Sequence, residues 1–259
     1  MAGFGVYDEW RSSLEGADYV AGIDVEVRTV GGRDRIVGFL GVDSGAPTSE
    51  GIGPRAEALW PELGPVFAAL EQLDDASSPA YMVFTDEGLS SFRVHGASFA
   101  QESRAEYGPR QFAHVIEDMG GVRMTGRTPK PPRYPAALPP YSRWHYGLDW
   151  ACKCWDLDYI EIRRSEDGEQ EFRAFLEVTG NLRTEADIVA ATSRAHPQCI
   201  FNRLDLQRTI LREMSGRFNV PAYLVIHTTD LSCFRVYDLS YDLLLRCNLE
   251  EYESWLVSL

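Results

Sequence analysis

Residues 79–94 read PAYMVFTDEGLSSFRV and residues 221–236 read PAYLVIHTTDLSCFRV. Aligned without a gap, nine of the sixteen positions are identical, which marks an internal duplication and sets the architecture before any local propensity is weighed. Working outward, GIDVEVRTVGGRDRIVGFLGVDSG (residues 22–45) lies over DLDYIEIRRSEDGEQEFRAFLEVTG (residues 156–180). Each is a β-rich run, a turn rich in glycine or charge, and a second β-rich run, the pattern of a hairpin. Trp10 precedes Asp24 by 14 residues, and Trp144 precedes Asp158 by the same 14. Downstream, QFAHVIEDM in the first copy and EEYESWLVSL in the second read as short amphipathic helices.

The expected fold class is therefore α/β, with two tandem modules, each a small mixed sheet flanked by helices. The boundaries expected are 1–120 for the first module, 121–143 for a linker and 144–259 for the second. Each module runs from a leading segment through a hairpin, helical material, a strand opened by PAY, a strand containing FRV and a closing helix. In the second copy Thr184 and Asp187 form a capping-box pattern, Pro197 ends the helix, and Ile200, Leu204, Leu211 and Met214 form an apolar stripe. Gly216 stands where a C-terminal cap belongs. In the first copy Pro54 opens a helical stretch with Leu59, Leu63, Val66, Phe67 and Leu70 as its apolar positions. Pro61 and Pro65 fall inside it and predict two short pieces. The linker holds Pro129, Pro131, Pro132, Pro135, Pro139 and Pro140, a composition that favours polyproline II and suits a spacer or a basic contact for an acidic partner.

Net charge is −14 and unevenly spread. Residues 121–143 carry five bases (Arg123, Arg127, Lys130, Arg133, Arg143) and no acid. An acidic body repels phosphate over a Debye length of about 8 Å, so a nucleic-acid partner needs a local basic patch. No apolar run approaches the roughly 20 residues of a membrane span, and MAGFGVYDEW lacks the basic and apolar regions of a signal peptide. No membrane partner and a cytoplasmic location are expected. The five cysteines lack the paired spacing of a zinc site and read as reduced thiols.

The residues that could carry chemistry are acids. Asp158 opens one hairpin strand, and Glu177 lies near the end of its antiparallel neighbour. Side chains alternate along a strand, so Glu177 and Thr179 share a face and Val178 points away. Pairing through a turn at Glu166–Gln170 brings Asp158 beside Glu177. Two converging carboxylates suit a hard cation such as Mg²⁺, which stabilises charge on a phosphodiester and activates water. Asp156 is a rival for the aspartate position, since D-L-D puts both acids on one face. Glu161 points the other way and is expected in solvent, and Asp149 reads as a surface acid. His145 reads as a structural hydrogen-bonder or a phosphate contact, His227 as structural, and Trp10 and Trp144 as packing residues.

With DLDYIEIRR, RAFLEVTG, helices and VPAYLVIHTTDLSCFRVYDLS in that order, residues 141–259 resemble the PD-(D/E)xK nuclease superfamily, and residues 7–120 do so more faintly. The resemblance implies a restriction-endonuclease-like fold and places Asp158 at the family's aspartate, Glu177 at its acid and Thr179 where it usually has lysine. That lysine orients the attacking water and stabilises the pentacovalent state; losing one such donor costs on the order of 10²–10³ in rate. Lys153 and Arg183 are the substitutes to consider. In the first copy Asp24 matches Asp158, but Gly41 stands at the Glu177 position and Asp43 at the Thr179 position. That copy is expected to be silent and to imitate the partner of a nuclease dimer. Two functions follow: a Mg²⁺-dependent nucleic-acid hydrolase or binder with one impaired site, or an inactive duplicated nuclease fold that binds a protein partner. A self-assembling structural role is the third.

Overall fold

The structure is a computed structural model, and it describes residues 5–15, 18–74, 76, 78–96, 106–119, 123–127, 140–149, 152–164, 170–193 and 199–259. Along the chain run α1 (Gly5–Ser13), β1 (Asp18–Val30), β2 (Arg33–Ala46), α2 (Ile52–Leu73), β3 (Ala80–Asp86), β4 (Phe92–Gly96), β5 (Glu106–Tyr107) and α3 (Pro109–Met119). They are followed by α4 (Pro140–Tyr146), β6 (Cys152–Arg164), β7 (Gln170–Leu182), α5 (Glu185–Thr192), α6 (Ile200–Arg203), α7 (Asp205–Phe218), β8 (Ala222–Thr228), β9 (Phe234–Tyr237), β10 (Leu243–Cys247) and α8 (Leu249–Ser258). The α/β class expected from the sequence is what the chain adopts. Among the described residues no helix is long and apolar enough to cross a membrane.

The chain divides into two compact units, one built from two separate segments and one continuous. Unit 1 is Met1–Ala21 with Leu157–Leu259, and unit 2 is Gly22–Asp156. A division at 1–120 and 144–259 would separate α1 from the unit it belongs to, and α4 likewise. The proline-rich centre of the linker (residues 128–139), the turn residues 165–169 and Pro197 lie outside the described residues.

In unit 2 the strands lie in the order β1-β2-β3-β4-β5. The hairpin partners β1 and β2 are antiparallel, β2 and β3 are parallel, and β4 is antiparallel to β3. All seven residues of β3 are buried, as a nearly unbroken apolar strand beside a parallel neighbour should be. Leu40, Tyr81, Val83, Phe92 and Val94 on one sheet face pack with Phe112, Ile116 and Tyr141. The Phe92 and Phe112 rings stack at 4.7 Å.

The long crossover α2 is one helix of 22 residues with Pro61 and Pro65 inside it, not two pieces. Each proline leaves unpaired the carbonyl four residues earlier. Glu57, Pro61 and Pro65 are all exposed, so these carbonyls are on the side that water can reach. The buried face, with Ile52, Ala56, Val66, Phe67 and Leu70, is undisturbed.

Unit 1 repeats the plan with order β10-β9-β8-β7-β6. The hairpin β6–β7 is antiparallel, β8 returns parallel to β7, and β9 and β10 follow antiparallel. Its core joins Ala174, Leu176, Val178, Val225 and Phe234 to Tyr7 of α1 and Tyr252 and Leu256 of α8. The capping box at Thr184 and Asp187 forms as the sequence requires. The cap of α7 is Asn219 in the left-handed region (φ 52°), not Gly216, which sits within the helix. The β3–β4 and β8–β9 turns each hold a leucine at positive φ, Leu89 at 53° and Leu231 at 58°. The matching LS dipeptides therefore share a conformation as well as letters.

Candidate metal centre

The β6–β7 register pairs Tyr159 with Leu176 and Ile160 with Phe175. Asp158 and Glu177 are the next residues beyond this end of the ladder. Asp158 also takes a ladder role, because its Oδ2 accepts the Val178 N–H at 2.6 Å. Glu177 and Thr179 are half-buried on the same strand, and Asp156 is exposed. The donors are oxygens on adjacent strands, the chemistry a small hard cation selects. Among the described residues no cluster of three or more Asp, Glu, His or Cys side chains is arranged around a common point.

Of the two substitutes for the motif lysine, one is engaged in an ion pair. Lys153 belongs to unit 2 and pairs with Asp34 at 2.8 Å. Arg183, just past β7, is exposed.

Glu161 is not in solvent: it is 2% exposed, and Arg11 of α1 donates to its Oε2 at 2.5 Å. The expectation failed because the face away from Asp158 is covered by α1 and α8, which bury Tyr7, Tyr252 and Leu256 against it. Burial pushes the Glu161 carboxyl up to about 7, more than Arg11 draws it back.

The corresponding residue in unit 2 is Glu26. Glu26 lies opposite Gly38 and Glu161 opposite Ala174, and in both hairpins the register slips immediately after the glutamate. This register also moves the equivalence of Asp24. Asp24 pairs with Leu40 as Tyr159 pairs with Leu176, so Asp24 occupies the Tyr159 position and not that of Asp158. Its carboxyl is pushed up to about 7 by burial and by the nearby Asp156.

Glu26 has three partners. Arg28 Nη2 donates to Oε1 at 2.7 Å, the Tyr81 hydroxyl donates to Oε2 at 2.7 Å, and His145 Nε2 lies 3.7 Å from Oε1. Burial alone would raise this carboxyl; His145, Arg28 and Tyr81 together hold it below its usual value. Neither buried pair was foreseen, although each glutamate sits in an apolar strand context, DVEV and YIEI. An acid in such a run is a signal for a buried partner.

At the unit 2 counterpart of Glu177, a Cβ added to Gly41 would come within 2.5 Å of Met82 Sδ and 2.6 Å of Phe67 Cζ. Core side chains fill the space an acid would need. Asp43, at the Thr179 position, is held by Arg55, whose Nη2 lies 2.8 Å from Oδ2. Asp149 is fully buried rather than on the surface. It accepts from Thr125 Oγ1 at 2.9 Å and from the Gly126 N–H at 2.8 Å.

His145 is buried beside Glu26 and Cys154, whose Sγ is 3.3 Å from Nδ1. His227 is buried, donates from Nδ1 to the Thr228 carbonyl at 2.8 Å and stacks on Tyr7. Burial lowers its pKa, consistent with the structural role expected. Trp10 packs on Phe234 and Tyr252 in unit 1, and Trp144 on Phe92 and Phe112 in unit 2. Compared with protein-family models, curated proteins and solved structures, the chain matches none.

Proposed function

We propose that the protein is a duplicated PD-(D/E)xK-like chain, two restriction-endonuclease-like modules of which one, within unit 1, carries a Mg²⁺-dependent site for nucleic-acid hydrolysis. The observation that supports this reading is that the β6–β7 ladder ends at Tyr159–Leu176, with Asp158 and Glu177 the next residues on the two strands. The helical crossover from β7 to the parallel strand β8 agrees with the order of elements that the family resemblance implies. Asp158 and Glu177 would hold the cation, which prefers one or two carboxylates with waters completing its shell. When bound, such an ion stabilises charge on a phosphodiester and activates water. Asp158 is anchored by the Val178 N–H. Thr179 presents a hydroxyl that can orient a water but brings no positive charge, so the rate is held down by the missing lysine. Unit 2 is the silent copy, because Phe67 and Met82 fill the space above Gly41.

The test is Mn²⁺ binding to the full chain by calorimetry, followed by cleavage of single- and double-stranded DNA and RNA. Binding should be lost in Asp158→Asn and in Glu177→Gln. Thr179→Lys should raise cleavage by about 10²–10³, the usual worth of one preorganised donor. Failure of the unaltered protein to bind Mn²⁺ would remove this reading. The alternative, a catalytically inactive interaction protein, is favoured by the engagement of Lys153 with Asp34. It predicts a Thr179→Lys variant that stays inert and a protein partner retained by Asp158→Asn.

A further inference from the structure

Beside the β6–β7 hairpin of unit 1 lies a cavity of about 220 Å³. Glu161, Arg163, Arg164 and Arg173 line it from β6 and β7, Leu256 from α8, and Asp18 adds an acid. Three properties of this lining point to a ligand.

Glu161 is 2% exposed, and among the described residues its Oε1 has no hydrogen-bond partner, while Arg11 donates to Oε2. A buried acceptor without a donor is costly, and native folds rarely tolerate one. Second, Arg163 and Arg164 are exposed and make no hydrogen bond or ion pair among the described residues. Third, Arg173 is held in place at the register slip, donating through Nε to the Leu259 carbonyl and through Nη1 to Glu171 at 3.0 Å. The wall thus combines an unfilled acceptor at depth, two uncommitted guanidinium groups and one fixed guanidinium.

We infer that this cavity binds a small dianionic phosphomonoester whose hydroxylated body donates a hydrogen bond to Glu161. Two unpaired guanidinium groups match the two charges of a phosphomonoester, and arginine's fork suits its oxygens. Asp18 and Glu161 reject a second anionic group and favour hydroxyls. A space of about 220 Å³ suits a phosphate on a small hydroxylated body. The inference does not rest on the proposed metal site.

The experiment is calorimetry of the full chain with ribose 5-phosphate, glycerol 3-phosphate, inorganic phosphate and ribose. Ribose 5-phosphate or glycerol 3-phosphate should bind more tightly than phosphate, and ribose should not bind. Because Arg163 and Arg164 are exposed, the double variant Arg163→Gln/Arg164→Gln should fold normally and weaken the phosphomonoester by about tenfold or more. Glu161→Gln should weaken the phosphomonoester and leave inorganic phosphate unchanged. A donor on Oε1 favours the ionised carboxylate, whose pKa stands at about 7 in the free protein. Binding near neutral pH should therefore release protons, seen as a heat that varies with the ionisation enthalpy of the buffer. Equal binding by the double-arginine variant, no advantage of the phosphomonoesters over phosphate, or tighter binding of a 5′-phosphorylated oligonucleotide would each overturn the inference.

Discussion

Glu26 and Glu161 stand at the same point of the two hairpins, yet they are kept in different ways. The residue that follows the tryptophan of the leading helix reaches each of them: His145 after Trp144 for Glu26, and Arg11 after Trp10 for Glu161. Unit 2 adds Arg28 and the Tyr81 hydroxyl to its glutamate. In unit 1 the matching tyrosine, Tyr223, instead packs edge-on against Trp255, and Arg163 is exposed at the cavity. The outcome is a Glu26 carboxyl held below its usual value and a Glu161 carboxyl raised to about 7. A buried ion pair is weak evidence of stability, because desolvation can exceed the Coulombic gain. What differs between the units is how completely the partners repay that desolvation. The two hairpins share the position of the buried acid, while its surroundings differ.

The strongest way to break this comparison is to neutralise each glutamate in turn. Glu26→Gln removes the carboxylate that Arg28, itself 2% exposed, donates to. Removing one member of a buried pair costs about 3–5 kcal/mol. Glu161→Gln keeps an oxygen to accept from Arg11, and it replaces a carboxyl already poised to be neutral. About 1–2 kcal/mol is expected there. Urea unfolding of both variants measures the difference; equal losses would show that the partners counted around Glu26 add nothing.

The same pair shows what could be read from the chain alone. The repeat, the hairpins, the parallel return strand and the Thr184 cap are local or periodic, and PAY, FRV and the capping box carry them in a few letters. The ladder that ends beside Asp158 and Glu177 belongs to one hairpin and is local in the same sense. The Arg11–Glu161 pair joins residues 150 positions apart, and Asp149 is held by a segment 24 residues upstream. No spacing rule reaches either. Alternation made Glu161 an outward residue, but outward on a sheet covered on both faces is still buried. The Asp24 correspondence failed for a related reason: the match through tryptophan spacing is one residue out of step with the strand register.

A pH profile sharpens the comparison with a smaller effect. Glu161 rises from 4.5 to about 7 on folding, so the folded protein binds more protons than the unfolded chain between those values. Stability must then fall as pH rises through that window, by about 3 kcal/mol for this group. Asp24, raised from 3.8 to about 7, adds a loss of the same sign. Glu26 acts oppositely and lower: its depressed pKa supplies stability above the unfolded value, lost as pH falls through the folded one. Thermal unfolding should therefore give a higher midpoint near pH 5 than near pH 7.5. Glu161→Gln should flatten part of the slope and Asp24→Asn the rest. A midpoint that rises across the window in the unaltered protein would contradict the raised carboxyls of both units.

The smallest expected effect tests why the tyrosines diverged. Gly38 faces Glu26, where unit 1 has Ala174 facing Glu161. A Cβ at Gly38 would lie 3.2 Å from the Pro79 carbonyl, 3.5 Å from Tyr81 Cε1 and 3.6 Å from Glu26 Oε2. The missing methyl therefore makes room for the phenol to reach the carboxylate. Gly38→Ala should crowd that contact and cost about 1 kcal/mol, the low end for overpacking a filled core. It should also raise the Glu26 pKa, because the Tyr81 hydrogen bond is one of the causes that depress it. The acid limb of the unfolding profile would then move to higher pH in Gly38→Ala and stay in place when Tyr81→Phe is already present. If the two changes add independently, the glycine does not govern the tyrosine, and the difference between the units at this point lies in the helices that cover them.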